Sequence, residues 1–228
     1  MCGRYVITRS VGDLLQLFDV RDSGLDVEFA PDYNVAPTRS VPIVWQDEQR
    51  RLELARWGLI PTWAKDVGFG ARTFNARIES AAEKPSFRGA FTKRRALVPA
   101  DGYYEWKKLG GGAKPAKQPY YIHPADDSVI ALAGLHEWWR AAGEQDWVHS
   151  FSIITGPAAG ELAEIHDRMP LPVAPDRQDA WLDPQLSDPE QIRGLLDVGI
   201  APGWVARPVG AAVGNVRNNG PELLGSAE

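Results

Sequence analysis

Short apolar segments that end at polar or Gly/Pro-rich turns recur through this chain of 228 residues, and their spacing constrains its fold more than any other feature. Residues 41–45 and 52–57 flank the polar turn 46–49, and residues 96–99 and 101–106 flank a second turn. Short apolar runs at hairpin spacing are typical of paired strands. Further segments with this pattern are residues 2–7, 120–123, 129–135, 147–155 and 204–208. We therefore expect strands to predominate.

Helical patterns are short and are inserted between the strands. Residues 10–18 have apolar residues at helical spacing behind Ser10, a favourable N-cap. The other predicted helices are residues 75–83, 158–166, 176–182 and 189–198. We expect an α+β fold whose mixed, mostly antiparallel sheet curls into a barrel-like core with flanking short helices. Neither a repeat nor a linker divides the chain, so residues 1–228 are predicted to form a single domain with a flexible tail of about eight residues.

The composition is that of an ordinary globular protein, with 44% hydrophobic and 24% charged residues. A single cysteine excludes an intramolecular disulfide and suits a reducing compartment. No stretch reaches the 18 apolar residues of a membrane span, and the first residues lack the pattern of a signal peptide. We therefore expect a cytoplasmic protein without membrane contacts.

Basic residues are concentrated in the middle of an otherwise acidic chain. The net charge is −5, yet residues 51–120 contain 14 Lys and Arg against 6 Asp and Glu. A local basic surface of this kind can hold phosphates. The alternative is a solvated face carrying residues such as Lys107 and Lys108, and charge alone leaves both interpretations open.

Cys2 stands where removal of Met1 would make it N-terminal. An N-terminal cysteine carries an α-amine with a pKa of about 7.7–8.0 beside a thiol near 8.5. Such an aminothiol can attack a carbonyl through sulfur, or condense with an aldehyde through nitrogen and close a thiazolidine ring through sulfur. The alternative is a small apolar residue buried on a first strand.

Six motifs in their order and spacing resemble the SOS response-associated peptidase (SRAP) family, whose members sense abasic sites in single-stranded DNA. The resemblance runs from Cys2 to about Asn219, as one SRAP-like domain. The motifs are Cys2-Gly-Arg-Tyr5, Asn34-Val-Ala-Pro37, Arg56-Trp-Gly-Leu59, Asn75-Ala-Arg77, Tyr104-Glu-Trp106 and Ile165-His-Asp-Arg-Met-Pro170.

The resemblance implies a DNA damage response enzyme. Met1 would be removed, and Cys2 would form a stable thiazolidine crosslink with the ring-opened sugar of an abasic site. The resemblance also implies abasic-site lyase, crosslink-reversal and autopeptidase activities without a cofactor. The expected partners are abasic single-stranded DNA and the replication machinery, and we expect a monomer in the cytoplasm, associated with the nucleoid.

Three further residues fall on the family's active-site positions, and each has a plainer alternative. Asn75 could position Cys2, or it could cap the helix predicted after it. Glu105 could shuttle protons during imine formation, or it could be a strand residue that faces solvent. His166 could donate a proton to the sugar ring oxygen, or it could interact with the C-terminus of the preceding helix.

The DNA-binding candidates are arginines and tryptophans. Arg4 and Arg77 match family positions that resemble phosphate ligands, and Trp106 resembles a wedge beside the lesion. Further candidates for a cationic, base-stacking surface are Trp57, Trp63, Arg56 and Arg88. For Trp57 and Trp63, core packing is the alternative.

Two other functional classes remain open from the sequence. In the first, a thiol peptidase, Cys2 attacks peptide carbonyls with His166 or Glu105 as the base. In the second, a non-covalent single-strand-binding module, Cys2 is incidental. Four histidines without short ligand spacing and one thiol predict no metal site.

Overall fold

The computed structural model describes residues 2–21, 29–111, 115–200 and 202–226, which form short strands and shorter helices. The strands are β1 (Arg4–Ile7), β2 (Asp32–Val35), β3 (Ser40–Gln46), β4 (Arg50–Trp57), β5 (Asn75–Arg77), β6 (Arg95–Ala100), β7 (Gly102–Leu109), β8 (Ala116–Pro124), β9 (Ile130–Trp139), β10 (Val148–Pro157), β11 (Arg168–Pro170) and β12 (Trp204–Pro208). The α-helices are α1 (Val11–Leu17), α2 (Ile78–Ala81), α3 (Arg88–Lys93), α4 (Gln178–Leu182) and α5 (Pro189–Gly194), and 3-10 helices cover Val67–Arg72, Gly160–Glu164, Pro175–Arg177, Ala211–Gly214 and Pro221–Leu224.

Five strands close into a barrel at the centre of the molecule. Neighbouring strands pair in the order β3, β6, β9 and β10, and each of these pairs is antiparallel. β4 closes the barrel, because it pairs with β3 on one side and with β10 on the other. The β4–β10 pair is parallel. A barrel of so few strands has room only for side chains, and buried residues including Trp57 and Phe151 belong to its core cluster. The predicted α+β fold with a curled, mostly antiparallel sheet is confirmed.

A second, fully antiparallel sheet has the order β12–β8–β7–β1–β2. Its strand β1 lies against the barrel, since Tyr5 places its ring edge-on to Trp57 with centroids 5.2 Å apart. β1 pairs with β7 so that Arg4 lies opposite Tyr104. The start of the chain therefore lies where the second sheet packs against the barrel.

Two three-residue strands flank the C-terminal half of β10. β5 runs parallel to it, with Asn75 opposite Ile153 and Arg77 opposite Thr155. β11 runs antiparallel on the other side, with Pro170 also opposite Thr155. These pairings bring two distant segments of the chain to the same end of β10.

The Arg56-Trp-Gly-Leu motif depends on a close approach of two chain segments at Gly58. Its φ of 123° lies in the region that favours glycine. A Cβ on Gly58 would also overlap the carbonyl oxygen of Gly70. The glycine therefore lets the chain after β4 pass directly against the 3-10 helix that precedes β5.

The helix predictions had mixed outcomes. The helix predicted at residues 10–18 is confirmed, because Ser10 Oγ accepts the Asp13 amide in a capping box around α1. The helix predicted from Asn75 begins only at Ile78, because residues 75–77 pair with β10 instead. The helix predicted over residues 158–166 is wrong. A five-residue 3-10 helix forms there, and Gly160 in its first turn has a φ of 59° that an α-helix does not allow.

Residues 221–226, within the predicted tail, include a 3-10 helix whose Leu223 is buried, and Ser226 bridges to Val209. The last two residues of that tail lie outside the described residues, as do Met1 and residues 22–28, 112–114 and 201. None of the helices within the described ranges has the length and apolar character needed to cross a membrane.

Candidate active site around Cys2

Cys2 lies fully buried immediately before β1, with 0% of its surface exposed. Its Sγ is 3.9 Å from the carbonyl oxygen of Arg4. Burial raises the pKa of the thiol well above its ordinary value, and the nearby charge of Glu105 adds to this effect. Cys2 therefore rests as a neutral thiol at physiological pH.

Asn75 holds the main chain of Cys2. Its Nδ2 donates a hydrogen bond of 2.7 Å to the carbonyl oxygen of Cys2. Asn75 is not the cap of the following helix, because Arg77 occupies that position. Its Oδ1 is buried and accepts no hydrogen bond from the described residues, so an acceptor remains beside Cys2.

Glu105 is buried on β7, one residue beyond the Arg4–Tyr104 pair and therefore beside the segment that leads to Cys2. Its Oε1 accepts the amide of Trp106 at 3.2 Å. Its charge contributes to the raised pKa of the Cys2 thiol. The alternative of a strand residue facing solvent does not apply.

His166 lies in the short loop between the 3-10 helix Gly160–Glu164 and β11. Its Nδ1 accepts the amide of Arg168 at 3.0 Å and lies 2.7 Å from a carboxylate oxygen of Asp167. When the neutral ring accepts at Nδ1, Nε2 carries the proton; when the ring is charged, Nδ1–H can donate to Asp167. The loop can therefore hold the ring in both protonation states.

Ion pairs tie the His166 loop to the elements that carry Asn75 and Glu105. Arg168 makes two hydrogen bonds, of 2.5 and 2.9 Å, to the carboxylate of Glu79 in α2, directly after β5. Glu164 lies 3.6 Å from Lys107, two residues beyond Glu105 on β7. The Arg168 hydrogen bond also lowers the pKa of Glu79, so this carboxylate is ionised at neutral pH.

Three DNA-binding candidates lie beside these residues. Arg4 is half-buried, donates to the Gly3 carbonyl at 3.0 Å, and has its pKa lowered by burial. Arg77 is exposed two residues after Asn75. Trp106 is partly buried against the small apolar cluster between β1, β7 and β8. Arg4 and Arg77 are thus close in the chain to Cys2 and Asn75, whereas Trp106 packs on a cluster separate from the one that contains Cys2.

The two remaining tryptophan candidates have opposite environments. Trp57 is fully buried, stacks on Phe151 and donates its indole N–H to the Phe74 carbonyl at 2.8 Å. It offers no face to a base, and core packing accounts for it. Trp63 is 54% exposed and contacts Phe69 edge-on at 4.9 Å, so core packing does not account for it.

The two remaining arginine candidates also differ. Arg56 is partly buried on β4 and donates to the Thr38 carbonyl at 2.7 Å, which ties its side chain to the turn between β2 and β3. Arg88 is exposed at the start of α3 and lines the same small cleft as Trp63. Trp63 and Arg88 therefore form one exposed aromatic and cationic surface.

Several buried polar groups near the site had no signal in the sequence that marked them. Thr155 lies between Arg77 and Pro170 in the sheet, and its buried Oγ1 has no hydrogen-bond partner among the described residues. The same holds for the hydroxyls of Tyr5 and Tyr103, which lie opposite each other in β1 and β7. Burial raises the pKa of both tyrosines. Polar residues within apolar runs were the only hint.

The Asn34-Val-Ala-Pro motif has a structural role. Asn34 is buried on β2, and its Nδ2 donates to the carbonyls of Val213, Asn215 and Asn218 at 3.3, 3.1 and 3.0 Å. One amide thus ties the C-terminal segment to β2. Within the described ranges, no cluster of three His, Cys, Asp or Glu side chains could bind a metal ion.

Comparison with known proteins matches this arrangement to one family. The family model described as SOS response associated peptidase (SRAP) matches residues 1–216. The abasic site processing protein YoqW of Bacillus subtilis (strain 168) is 36% identical over 227 residues, covering 99% of this chain and 100% of YoqW. YedK of Escherichia coli (strain K12), with the same descriptive name, is 34% identical over 233 residues, covering 98% and 99%.

More distant relatives and solved structures agree. The abasic site processing protein HMCES of Gallus gallus is 29% identical over 265 residues, covering 98% of this chain and 77% of HMCES. The crystal structure of a protein from Bacteroides thetaiotaomicron aligns with this chain at a TM-score of 0.85 and 25% identity, and the alignment covers 100% of each chain. A phage-related protein of Bordetella bronchiseptica gives a TM-score of 0.72 and 30% identity over 91% of this chain and 94% of that protein. The chain belongs to the SOS response-associated peptidase family.

Proposed function

We propose that this protein processes abasic sites in single-stranded DNA, and that it does so by forming a covalent thiazolidine with Cys2 after Met1 is removed. The observation that carries the proposal is the hydrogen bond from Asn75 to the Cys2 carbonyl, with Glu105 buried on the strand that pairs with β1. This contact holds the atoms of Cys2 in one place while leaving the sulfur and nitrogen to react. The names of the relatives support the substrate class.

The reaction begins at nitrogen. The free amine of Cys2 attacks C1′ of the ring-opened sugar, and loss of water gives an imine. The thiol sulfur then adds to the imine carbon while its proton moves to nitrogen, which closes the ring and releases no further group. In this proposal Glu105 accepts and returns these protons, and His166 protonates the sugar oxygen when the ring opens.

The same imine accounts for the lyase and reversal activities included in the proposal. Imine formation acidifies the C2′ hydrogen, so a base such as Glu105 can remove it while the 3′ phosphate leaves. Addition of water to the imine returns the aldehyde and the free amine. Autoproteolytic removal of Met1 belongs to the same proposal, since an amide nitrogen cannot form the imine.

The state of the thiol favours this reaction over a general peptidase. A thiol peptidase needs a thiolate at neutral pH, and such cysteines have a lowered pKa in electropositive, partly exposed surroundings. Cys2 is fully buried, and its pKa is raised. Attack by the amine first, followed by the neutral thiol, suits this environment better than attack of a thiolate on a peptide.

The surrounding side chains suit a single strand. Arg77 is exposed beside Asn75, and Arg4 is next to Tyr5 on β1, so phosphates near Cys2 would meet two cations. Trp106 follows Glu105 and offers an apolar ring where a base is missing. Trp63 and Arg88 add a stacking platform and a cation. A monomeric state, contact with the replication machinery and a cytoplasmic, nucleoid-associated location stay predictions.

The proposal is tested with a labelled single-stranded oligonucleotide that carries one abasic site. We expect the wild-type protein to give an adduct on a denaturing gel without any reductant, and the intact mass of the protein to lack one Met. Cys2→Ser keeps the amine and should give an adduct only after borohydride reduction of the imine. A reductant-independent adduct with Cys2→Ala, or crosslinked protein that retains Met1, would falsify the proposal.

A non-covalent binding module makes the opposite prediction. It would bind intact and abasic strands with equal affinity and would give no adduct with either. Fluorescence anisotropy with the two strands, measured beside the gel assay, separates these functions.

A further inference from the structure

A second cluster of titratable side chains lies away from Cys2, at the start of β10. His149 Nδ1 is 3.2 Å from a carboxylate oxygen of Glu53, and His149 Nε2 is 3.0 Å from His136 Nδ1. His136 is 3% exposed. Ile153, which pairs with Asn75, is four residues further along β10, or about 13 Å at the usual rise of a strand. This cluster is therefore separate from the site around Cys2.

The order of the contacts determines where the protons are. The neighbouring His149 lowers the pKa of Glu53, so this carboxylate, 3.2 Å from His149 Nδ1, is ionised and favours a proton on that nitrogen. His149 therefore carries its proton on Nδ1, and its Nε2 accepts from His136 Nδ1–H. The proton of His136 is used in this contact, so Nε2 of His136 is left as an acceptor. Burial lowers the pKa of His136, which keeps the ring neutral.

His136 forms part of the wall of an open cleft of about 500 Å³. Its Nε2 makes no hydrogen bond to the described residues, and the ring lines the cleft, so this acceptor is available to a ligand that enters there. The other residues that line the cleft are Trp45, Gln46, Asp47, Glu48, Lys93, Arg94, Trp138, Pro184 and Gln185. The cleft thus combines aromatic walls, two amide side chains and charged groups of both signs.

The two tryptophans are held in place for stacking. Trp138 lies parallel to His149 with ring centroids 4.0 Å apart and is itself only partly buried. Trp45 contacts His136 with centroids 5.1 Å apart and is also partly buried. Each ring therefore has one side packed on the histidine pair and surface remaining at the cleft. Aromatic platforms of this kind stack any nucleobase.

The charges of the cleft balance and are largely paired. Arg94 is bound to Glu137 at 2.6 Å, and Asp47 lies 3.1 Å from Arg51. Lys93 and Glu48 contribute one charge of each sign. A lining without net charge suits a neutral ring better than a phosphate group. The amides of Gln46 and Gln185 offer both donors and acceptors, which match the edges of bases.

We propose that this cleft is a second binding site, which takes a neutral nucleobase between Trp45 and Trp138 and accepts one of its N–H groups at His136 Nε2. The base is supplied as a free nucleoside or as an unpaired base of a single strand. The site needs neither Cys2 nor Met1 removal, so it stands independently of the function proposed above.

The test compares ligands that differ by a single N–H. Thymidine and 3-methylthymidine are titrated into the full-length protein, labelled with ¹⁵N-histidine, and the imidazole nitrogens are observed by NMR. We expect the His136 Nε2 resonance to move with thymidine and to stay with 3-methylthymidine at the same concentration. His123, which lies in the other sheet near Asp127, is the internal control and should not move in either titration.

Calorimetry on variants gives the second measurement. His136→Phe keeps a ring in the wall and should weaken thymidine binding about 2- to 13-fold, the range for one net hydrogen bond. The matched variant His123→Phe should bind like wild type. A thymidine tetramer distinguishes the two sources, since tighter binding of the tetramer identifies a strand and equal binding identifies the nucleoside.

Three results would overturn the proposal. They are a lack of thymidine binding to the wild-type protein, equal binding of thymidine and 3-methylthymidine, and a shift confined to histidines other than His136 and His149. The comparison of the two nucleosides uses only wild-type protein, so it remains decisive even when His136→Phe fails to fold.

Discussion

Replacing Asn75 by Ala tests whether the position of Cys2 controls its reactivity. The substitution removes the hydrogen bond of 2.7 Å from Nδ2 to the Cys2 carbonyl and leaves that carbonyl without this donor in a buried region. A buried polar group that loses its partner costs about 1–3 kcal/mol. A penalty of this size on the reactive arrangement slows the reaction about 5- to 150-fold, because each 1.36 kcal/mol is a factor of ten.

The rate constant of adduct formation is measured on denaturing gels with excess protein and an abasic oligonucleotide. Asn75→Asp is the informative companion, since a carboxylate of the same shape cannot donate to a carbonyl and should be slowed at least as much as Asn75→Ala. Gln118→Ala is the matched control, because Gln118 also donates from a side-chain amide to a backbone carbonyl, that of Val209 at 2.9 Å. An Asn75→Ala protein that crosslinks at the wild-type rate would refute the positioning argument.

Three further outcomes are expected. Glu105→Gln should slow crosslinking at least about 100-fold on the same gels, because a buried amide cannot shuttle protons; an unchanged rate would exclude Glu105 as the base. Arg95→Met should lower the free energy of unfolding, measured in urea, by at least about 3 kcal/mol. The buried guanidinium, whose pKa is lowered by burial to about 10, donates hydrogen bonds to the backbone carbonyls of Trp181, Phe91, Asp183 and Leu186. A smaller loss of stability would show that water replaces these hydrogen bonds in the variant. Stability should also fall as the pH drops below about 6.5, because burial, His149 and Arg94 lower the pKa of His136 in the folded state, so the unfolded chain takes up the proton first. The difference between the urea midpoints at pH 7.5 and pH 5.5 should therefore be smaller in His136→Phe than in the wild-type protein. An equal difference in the two proteins would show that His136 is not the source of the pH dependence.

The sequence by itself was sufficient for most of the strands, for α1 and for the family. Apolar runs at hairpin spacing predicted the pair β3 and β4, because strand pairing over a short turn is a local property. The same pattern predicted β6 and β7 as strands, but these two lie in different sheets and do not pair. Ser10 marked the start of α1, because an N-cap acts on the first turn of its own helix and is therefore a local signal. The motifs around Cys2, Asn75, Glu105 and His166 carried the resemblance to SRAP proteins, because each is a short string that can be read without knowing its environment.

Only the tertiary structure decided which residues meet. Residues 75–77 became a strand and not the start of a helix because β10 offered a free edge, and that pairing brought Asn75 to Cys2 across 73 positions. Burial separated Trp57 from Trp63, which look alike in the sequence, because one ring fills the barrel and the other lies outside it. The pairing of His136 with His149 arises from strand register. Contacts between distant segments depend on how sheets close and pack, and no local pattern encodes that geometry.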